Sequence, residues 1–285
     1  MVVIMKEEWT TVIKPKTGWF DINLKEIWYY RDLIYMFLKR NFTSSYKQTI
    51  LGPLWFLITP LMTSSMFTVV FGQIAKISTD GVPQFLFYMA GNTAWSYFST
   101  CLTSTSSTFV GNAGLFGKVY FPRLVSPITT VIYALLSFFI QMILMFIIMA
   151  YFAFGRGEYV YPNEWILLVP LMILQMAMLG LGLGIIISSL TTKYRDLSIL
   201  VSFGVSLWMY ATPIVYPLSQ VPDFLKNIIR WNPMAPVVNN FRYAFLGCGT
   251  PEIGWWIISM VITVIALFFG VILFSKVEKT FMDTV

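Results

Sequence analysis

The chain has no histidine, the side chain that most often serves as general base or metal ligand near neutral pH. Its two cysteines, Cys101 and Cys248, are too few for a disulfide framework, and packing is their expected role. Acidic residues are sparse, 13 in 285, and none of the six aspartates stands two positions from another acid. The DxD pattern that holds a metal-bound sugar nucleotide is therefore absent. So is the G-x-x-x-x-G-K-[ST] phosphate loop: Gly114-Leu115-Phe116-Gly117-Lys118 comes nearest, with the wrong spacing and no hydroxyl residue after the lysine. Without these features the chain is expected to hold no catalytic residues, no metal and no cofactor, and to bind no ATP itself.

Charge of either sign is missing from six long stretches. They lie between Lys47 and Lys76, Asp80 and Lys118, Arg123 and Arg156, Glu164 and Lys193, Asp196 and Asp223, and Glu252 and Lys276. The shortest holds 23 residues, and a helix needs about 20 apolar residues to cross the hydrocarbon core. With 57% hydrophobic residues and a mean hydropathy of +0.72, the expected fold class is an all-α polytopic membrane protein with six transmembrane helices. Charge-free spans argue against a proton relay or a charged channel filter, so the energy for any transport must come from another subunit.

The 19 basic residues sort by alternate joints. Fourteen fall in 1–47, 118–123, 193–196 and 276–285, and five fall in the segments between. The net charge of +6 then orients the chain in a membrane rather than pointing to nucleic acid. The expected location is the plasma membrane (cell inner membrane), with both termini cytoplasmic. The first thirty residues carry eight charges and no sustained apolar core, so no signal peptide is expected there.

Residues 1–48 read as a cytoplasmic N-terminal arm and 49–285 as the membrane domain. Within the arm, 24–42 has the spacing of an amphipathic helix: Leu24, Ile27, Trp28, Ile34, Phe37, Leu38 and Phe42 alternate with charge. Such a helix suits the inner headgroup layer, either as a lipid anchor or as a docking surface for a partner. The spans are expected at about 50–74, 83–109, 126–154, 165–190, 197–215 and 254–274. Pro60 should bend the first. The second is rich in hydroxyls: 10 of the 16 residues from Thr93 to Thr108 are Ser or Thr. Back-bonding to the helix and contacts between helices account for a few, and a lumen-facing stripe accounts better for ten. Gly180 and Gly184 in the fourth span are spaced for close helix packing, with no ligand implied.

Residues 213–251 hold six of the 14 prolines, yet also Phe224, Leu225, Ile228, Ile229, Trp231, Val237, Val238 and Phe241. A plain solvated loop would be more polar. Short helices that dip into the outer leaflet and return fit better, and irregular backbone at that depth needs protein or water around it. The segment is expected to act as an outer gate.

Several strings at the helix ends carry a resemblance. They are Arg31-Asp32-Leu33, Tyr46-Lys47-Gln48-Thr49 with Leu51-Gly52-Pro53-Leu54-Trp55, Lys118-Val119-Tyr120-Phe121-Pro122-Arg123, Tyr194-Arg195-Asp196, Thr212-Pro213-Ile214-Val215-Tyr216-Pro217 and Asn232-Pro233-Met234-Ala235-Pro236. In this order and at these positions the chain resembles the permease subunit of type-2 ABC exporters. The branch it resembles exports polysaccharides such as O-antigen, teichoic acid and capsule. The resemblance runs from about Trp28 to Val277. It implies a homodimer of six-span subunits joined to two separate ATP-binding-cassette subunits, which would bind ATP and Mg²⁺, and an undecaprenyl-type lipid-linked glycan as substrate.

It also implies a coupling helix over roughly 112–123, with Asn112, Lys118, Tyr120, Pro122 and Arg123, and a second inner contact at Tyr194, Arg195 and Asp196. Lys118 and Arg123 also read as simple positive-inside anchors. The outer gate it implies includes Pro213, Tyr216, Pro217, Asn232 and Pro233. Basic residues at the inner boundary, Arg31, Lys39, Arg40 and Lys47, would attract an anionic pyrophosphate head. Sugar rings stack on aromatics and their hydroxyls bond to polar side chains. That makes Trp55, Trp95, Tyr97, Phe98, Ser99, Thr103, Trp208 and Tyr210 candidates for a channel lining, although each aromatic also fits an interfacial belt. O-antigen is the expected glycan. The alternatives are teichoic acid or capsule export, a small-molecule exporter of the same superfamily, a membrane enzyme acting on lipid-linked sugars, and a non-transporting scaffold. The short 76–82 connector and the missing acidic pairs weigh against the small-molecule and enzyme readings.

Overall fold

The computed structural model describes residues 24–47, 49–119, 121–157, 160–191, 194 and 196–284, and every regular element among them is helical. Two short-to-medium helices, α1 (Leu24–Tyr29) and α2 (Arg31–Tyr46), come first. The expected single amphipathic helix is thus two, broken at Tyr30, whose backbone is not helical (φ −89°, ψ 21°). A 3-10 turn holding Pro53 leads into α3 (Trp55–Phe67), which continues as a π-helical stretch to Ile74. Pro60 lies inside α3 without ending it. A tight turn follows, with positive φ at Lys76, Asp80 and Gly81.

Helix α4 (Gln84–Ser106) is followed by two single turns, α5 (Thr108–Gly111) and α6 (Ala113–Phe116). The second span was expected to reach Phe109. It stops at Ser106 because Ser107 leaves helical geometry (φ −95°, ψ 4°), where hydroxyl-to-backbone bonds compete with the helical ladder. Then come α7 (Val125–Ala150), prolonged to Gly155, and α8 (Val169–Thr191), preceded by a 3-10 turn from Glu164. Helix α9 (Leu197–Tyr210) is shorter than the expected 197–215. Pro213 and Pro217 cannot donate to a continuing helix, and Thr212 Oγ1 donates back to the Trp208 carbonyl at 2.9 Å. Two small helices, α10 (Asp223–Arg230) and α11 (Met234–Leu246), precede the long α12 (Ile253–Thr284).

Among the described residues, four helical stretches are long and apolar enough to cross a membrane: Gly52–Ile74, Val125–Gly155, Glu164–Thr191 and Ile253–Val277. Helix α4 has 23 residues, but its hydroxyls lower its hydropathy. Helix α9 is apolar, and its 14 residues rise only about 21 Å.

The core is organised around α4 and α8. Helix α4 packs on α3, α7, α8 and α11, and α8 lies between α4 and α12. Glycine makes the close approach feasible. A Cβ on Gly180 would lie 2.6 Å from the Cys101 Cβ of α4, and one on Gly184 would lie 2.6 Å from the Thr105 Cβ. On the other side, a Cβ on Gly182 would meet the α12 backbone at Leu267, 2.7 Å away. Gln175 crosses from α8 to α12, donating to Ser259 Oγ at 2.7 Å and accepting from Trp256 Nε1 at 2.7 Å. A smaller aromatic cluster closes the α2 end of the bundle: Phe37 meets Phe121 at 5.7 Å, and Phe109 stacks on Phe274 at 4.7 Å.

Candidate functional site

At the α2 end, a polar cleft of about 240 Å³ opens between α2, the foot of α4 and the start of α7. Phe37, Arg40 and Asn41 form one wall, Ser104, Ser107, Thr108, Gly111 and Asn112 a second, and Ser126, Thr129 and Thr130 a third. The α2 wall forms because Phe37 is buried against Phe121, which sets the next turn of α2 over the cleft. The Arg40 guanidinium lies 4.7 Å from the Phe37 ring centroid, an arrangement that retains its charge for a ligand. Asn112 closes the floor: its Nδ2 donates to Thr108 O and to Ser126 Oγ, both at 3.0 Å.

A stripe of hydroxyls runs up α4 from this cleft. Ser96, Ser99, Thr100, Thr103, Ser104 and Ser107 are half-buried or exposed and fall on one face at helical spacing, whereas Cys101, Leu102 and Thr105 on the other faces are buried. Thr103 donates to Ser99 O at 2.8 Å and Ser107 to Ser104 O at 3.1 Å. Their donors are used on backbone carbonyls, which leaves the outward lone pairs of these two oxygens able to accept a hydrogen bond. Higher on the same face, Thr93 is wholly buried, and every residue from Leu86 to Trp95 is buried. The stripe is open toward α2 and covered toward α11.

The cover is built from the 211–217 turn and from α11, 12 of whose 13 residues are buried. Asn232 ties them. Its Oδ1 accepts from Trp208 Nε1 and from the Met234 backbone, both at 3.0 Å, and its Nδ2 donates to Thr212 Oγ1 at 2.8 Å and to Ala211 O at 3.1 Å. Pro213 and Pro217 are buried, Tyr216 donates to Tyr210 O at 3.2 Å, and Pro233 O accepts from Ser259 of α12. Arg230 pairs with Glu252, and that hydrogen-bonded carboxylate holds the guanidinium above its ordinary range. Burial pushes the Cys248 thiol up to about 11.

The remaining sequence-derived residues divide between surface and core. Ser99 and Thr103 lie on the stripe, but Trp95, Tyr97 and Phe98 are 4% exposed or less. Trp95 and Phe98 pack on Trp208 at 6.0 and 5.2 Å, and Tyr97 on Phe138 at 5.1 Å, so these rings serve the chain's own core. Trp55 and Tyr210 are about half exposed. Lys39 and Arg40 flank an open depression with Tyr35, Met36, Thr43 and Ser44, while Arg31 and Lys47 are exposed at the two ends of α2. In the 112–123 joint, Phe116 and Phe121 are buried and Lys118 is exposed between them. Arg123 lies 5.7 Å from the Phe116 centroid, and Pro122 is buried. Tyr194 and Asp196 are exposed. Tyr120 and Arg195 lie outside the described residues.

Asn41, Ser126, Thr129 and Thr130 were not read from the sequence as site residues, because only the docking of α2 on α7 brings them to the cleft. Arg242, counted above as one of five basic residues in loops, is instead 1% exposed. Its neighbours Phe241, Tyr243, Ala244, Phe245 and Leu246 were the available signal for burial. Among the described residues no group of three or more His, Cys, Asp or Glu could hold a metal ion.

Long apolar helices around a polar-faced central helix define a membrane transport protein. Residues 32–246 match the ABC-2 type transporter family, and the chain belongs to that family, whose members are transport permease subunits. It is 28% identical to the O-antigen export system permease protein RfbA of Klebsiella pneumoniae, over 90% of this chain and 95% of that one. A second protein of that name, from Myxococcus xanthus, is 26% identical over 92% of this chain and 98% of its own length. The polysialic acid transport protein KpsM of Escherichia coli is 23% identical over 82% of this chain and 89% of its own.

Proposed function

We propose that the chain is the membrane subunit of an ATP-driven exporter of a lipid-linked polysaccharide, O-antigen in the first instance. The observation that carries this reading is the similarity to O-antigen export permeases over 90% or more of both chains. The hydroxyl stripe supports it, because a glycan chain needs hydrogen-bonding groups that change partners easily as it moves. Capsule polysaccharide remains the second reading, on the similarity to the polysialic acid transport protein.

The working unit in this reading is a homodimer of six-span subunits with two ATP-binding-cassette subunits at the α2 end, which faces the cytoplasm. Helices α4 and α9 are the spans that the apolarity and length of the other four leave over, and inside a dimer neither needs to face lipid alone. Helices α1 and α2 lie along the inner headgroup layer with Trp28, Tyr35 and Met36 toward lipid. Arg40 and Lys39 attract the anionic pyrophosphate of the lipid carrier, and Asn41 and the hydroxyls of the polar cleft accept its first sugars. The sugar chain then follows the stripe of α4 toward the cover formed by 213–251, where α10 and α11 act as re-entrant outer helices.

Lys118, exposed between two buried phenylalanines, is the contact through which the ATPase pushes. This subunit binds neither ATP nor metal, and its work is to hold, orient and release the glycan. The test is affinity purification after gentle extraction, followed by reconstitution. An ATPase subunit is expected to accompany the chain, and the pair should move lipid-linked glycan into vesicles only with ATP. A chain that purifies alone and moves nothing when paired with the ATPase encoded beside it rejects the export reading.

A further inference from the structure

Arg242 is the only charged side chain of α11, and it is buried completely. It makes no ion pair with a described residue. Its Nη2 group instead donates to two backbone carbonyls, Pro213 O and Ile214 O, each at 3.0 Å. Its plane covers the Phe87 ring of α4, with 3.6 Å between the guanidinium carbon and the ring centroid. Gly91, one turn further along α4, is there to admit it: a Cβ at that position would stand 2.6 Å from Nη2.

For the first of these carbonyls the need for this donor is written in the sequence. In a continuing helix the carbonyl of Pro213 would accept from the amide of residue 217, but residue 217 is proline and has no amide hydrogen. The break after α9 therefore leaves acceptors buried, and the guanidinium of another helix supplies the missing donor. Two groups stay unsatisfied beside this contact. Arg242 Nε and the Tyr88 hydroxyl are both buried without a hydrogen-bond partner. A cation buried against neutral carbonyls, with one of its donors unused, is held less firmly than one paired with a carboxylate.

We infer that Arg242 is the positioning residue of the outer gate, a releasable clamp that holds the 211–217 turn and α11 down on α4 until the partner ATPase drives the gate open. This rests on the export reading above. The clamp closes three elements at one point: the end of α9, the covering helix α11, and the buried part of the hydroxyl-bearing helix. Cys248, two residues beyond the end of α11, reports on it directly. Its thiol is buried and donates to Thr79 O at 3.6 Å, so it reacts only when α11 has moved.

The experiment uses the complex of permease and ATPase in oriented vesicles, with Cys101→Ala leaving Cys248 as the only thiol of the permease, a membrane-impermeant maleimide as probe, and label read on the permease band alone. In the chain otherwise unsubstituted, Cys248 should label slowly without ATP and faster during ATP turnover. In Arg242→Gln, labelling should be at least tenfold faster without ATP and should no longer follow ATP. Arg242→Lys, whose ammonium reaches one carbonyl, should fall between. Gly91→Ala displaces the guanidinium while keeping the arginine, and it should give the phenotype of Arg242→Gln. That variant decides the matter if Arg242→Gln does not fold. Labelling that stays slow and ATP-dependent in Gly91→Ala, with export intact, overturns the proposal. The ATP-free labelling needs no glycan, so a failure of glycan transport in the unsubstituted complex would remove the export reading and leave the clamp standing.

Discussion

Glycine at position 184 shows how much one absent methyl group decides. Helix α8 touches α4 on one side and α12 on the other, and only hydrogen at 180, 182 and 184 lets three backbones come this close. In a bilayer the lipid tails are as apolar as the side chains, so close packing rather than expulsion from water holds helices together. Gly184→Ala places a Cβ 2.6 Å from the Thr105 Cβ and 2.9 Å from Leu102 O. Neither neighbour can swing away, because one is attached directly to the α4 backbone and the other is part of it. We expect a loss of about 1–3 kcal/mol, seen as a lower melting temperature of the purified protein in detergent. A change at Gly204, where nothing lies within 4 Å, should leave that temperature unaltered and serves as the control.

Among the elements, the joint between α4 and α7 is the one whose form suggests transmission of force. Two single helical turns end in a connector pinned by Phe116 and Phe121 in the aromatic cluster, with Asn112 bonded across to Ser126. A load applied at exposed Lys118 therefore reaches the feet of both α4 and α7 rather than bending a loose loop. Lys118→Glu should reduce glycan export and substrate-stimulated ATP hydrolysis at least several-fold, without changing the melting temperature. Unchanged export and hydrolysis rates would remove the coupling role from this joint. Phe121→Ala serves as the contrasting variant, because it empties the cluster and should lower the melting temperature itself.

For the whole molecule, the decisive property is which way each end faces. Among the described residues four helices have the length and apolarity to span, α4 and α9 are the two that the six-span reading adds, and 14 of the 19 basic residues fall in the sequence segments which that reading places in the cytoplasm. Reporter tags inserted at Ser78 and at Asp223 should both surface outside the cytoplasm. A tag that reads as cytoplasmic at either site would break the six-span arrangement and the direction of transport derived from it.

The all-helical membrane class was legible in the residues, since an absence of charge over 23 residues or more leaves few places for a segment except a membrane; of the six expected spans, four are long and apolar enough among the described residues. The expected ends of the first, third and fourth spans lie within two residues of the observed helical stretches, and the last begins within one, but its helix runs past Lys276 to Thr284 instead of ending near 274. The ends that fell short, at Ser106 and Tyr210, are those set by side-chain bonds to the backbone and by a donor missing further along the chain. Faces were another matter. Nothing local distinguishes the hydroxyls of Ser99 and Thr103, which stay open, from that of Thr105, which α8 covers, or the rings of Trp95 and Phe98 from lining residues. Arg242 is the sharpest case, because charge in a sequence predicts exposure, whereas this guanidinium is buried on two carbonyls some thirty residues away, one of which a proline had left without its helical donor. Composition thus determined that this chain belongs in a membrane, because charge-free apolar stretches have few other places to go, and tertiary packing alone decided which of its polar groups stay open and which are covered.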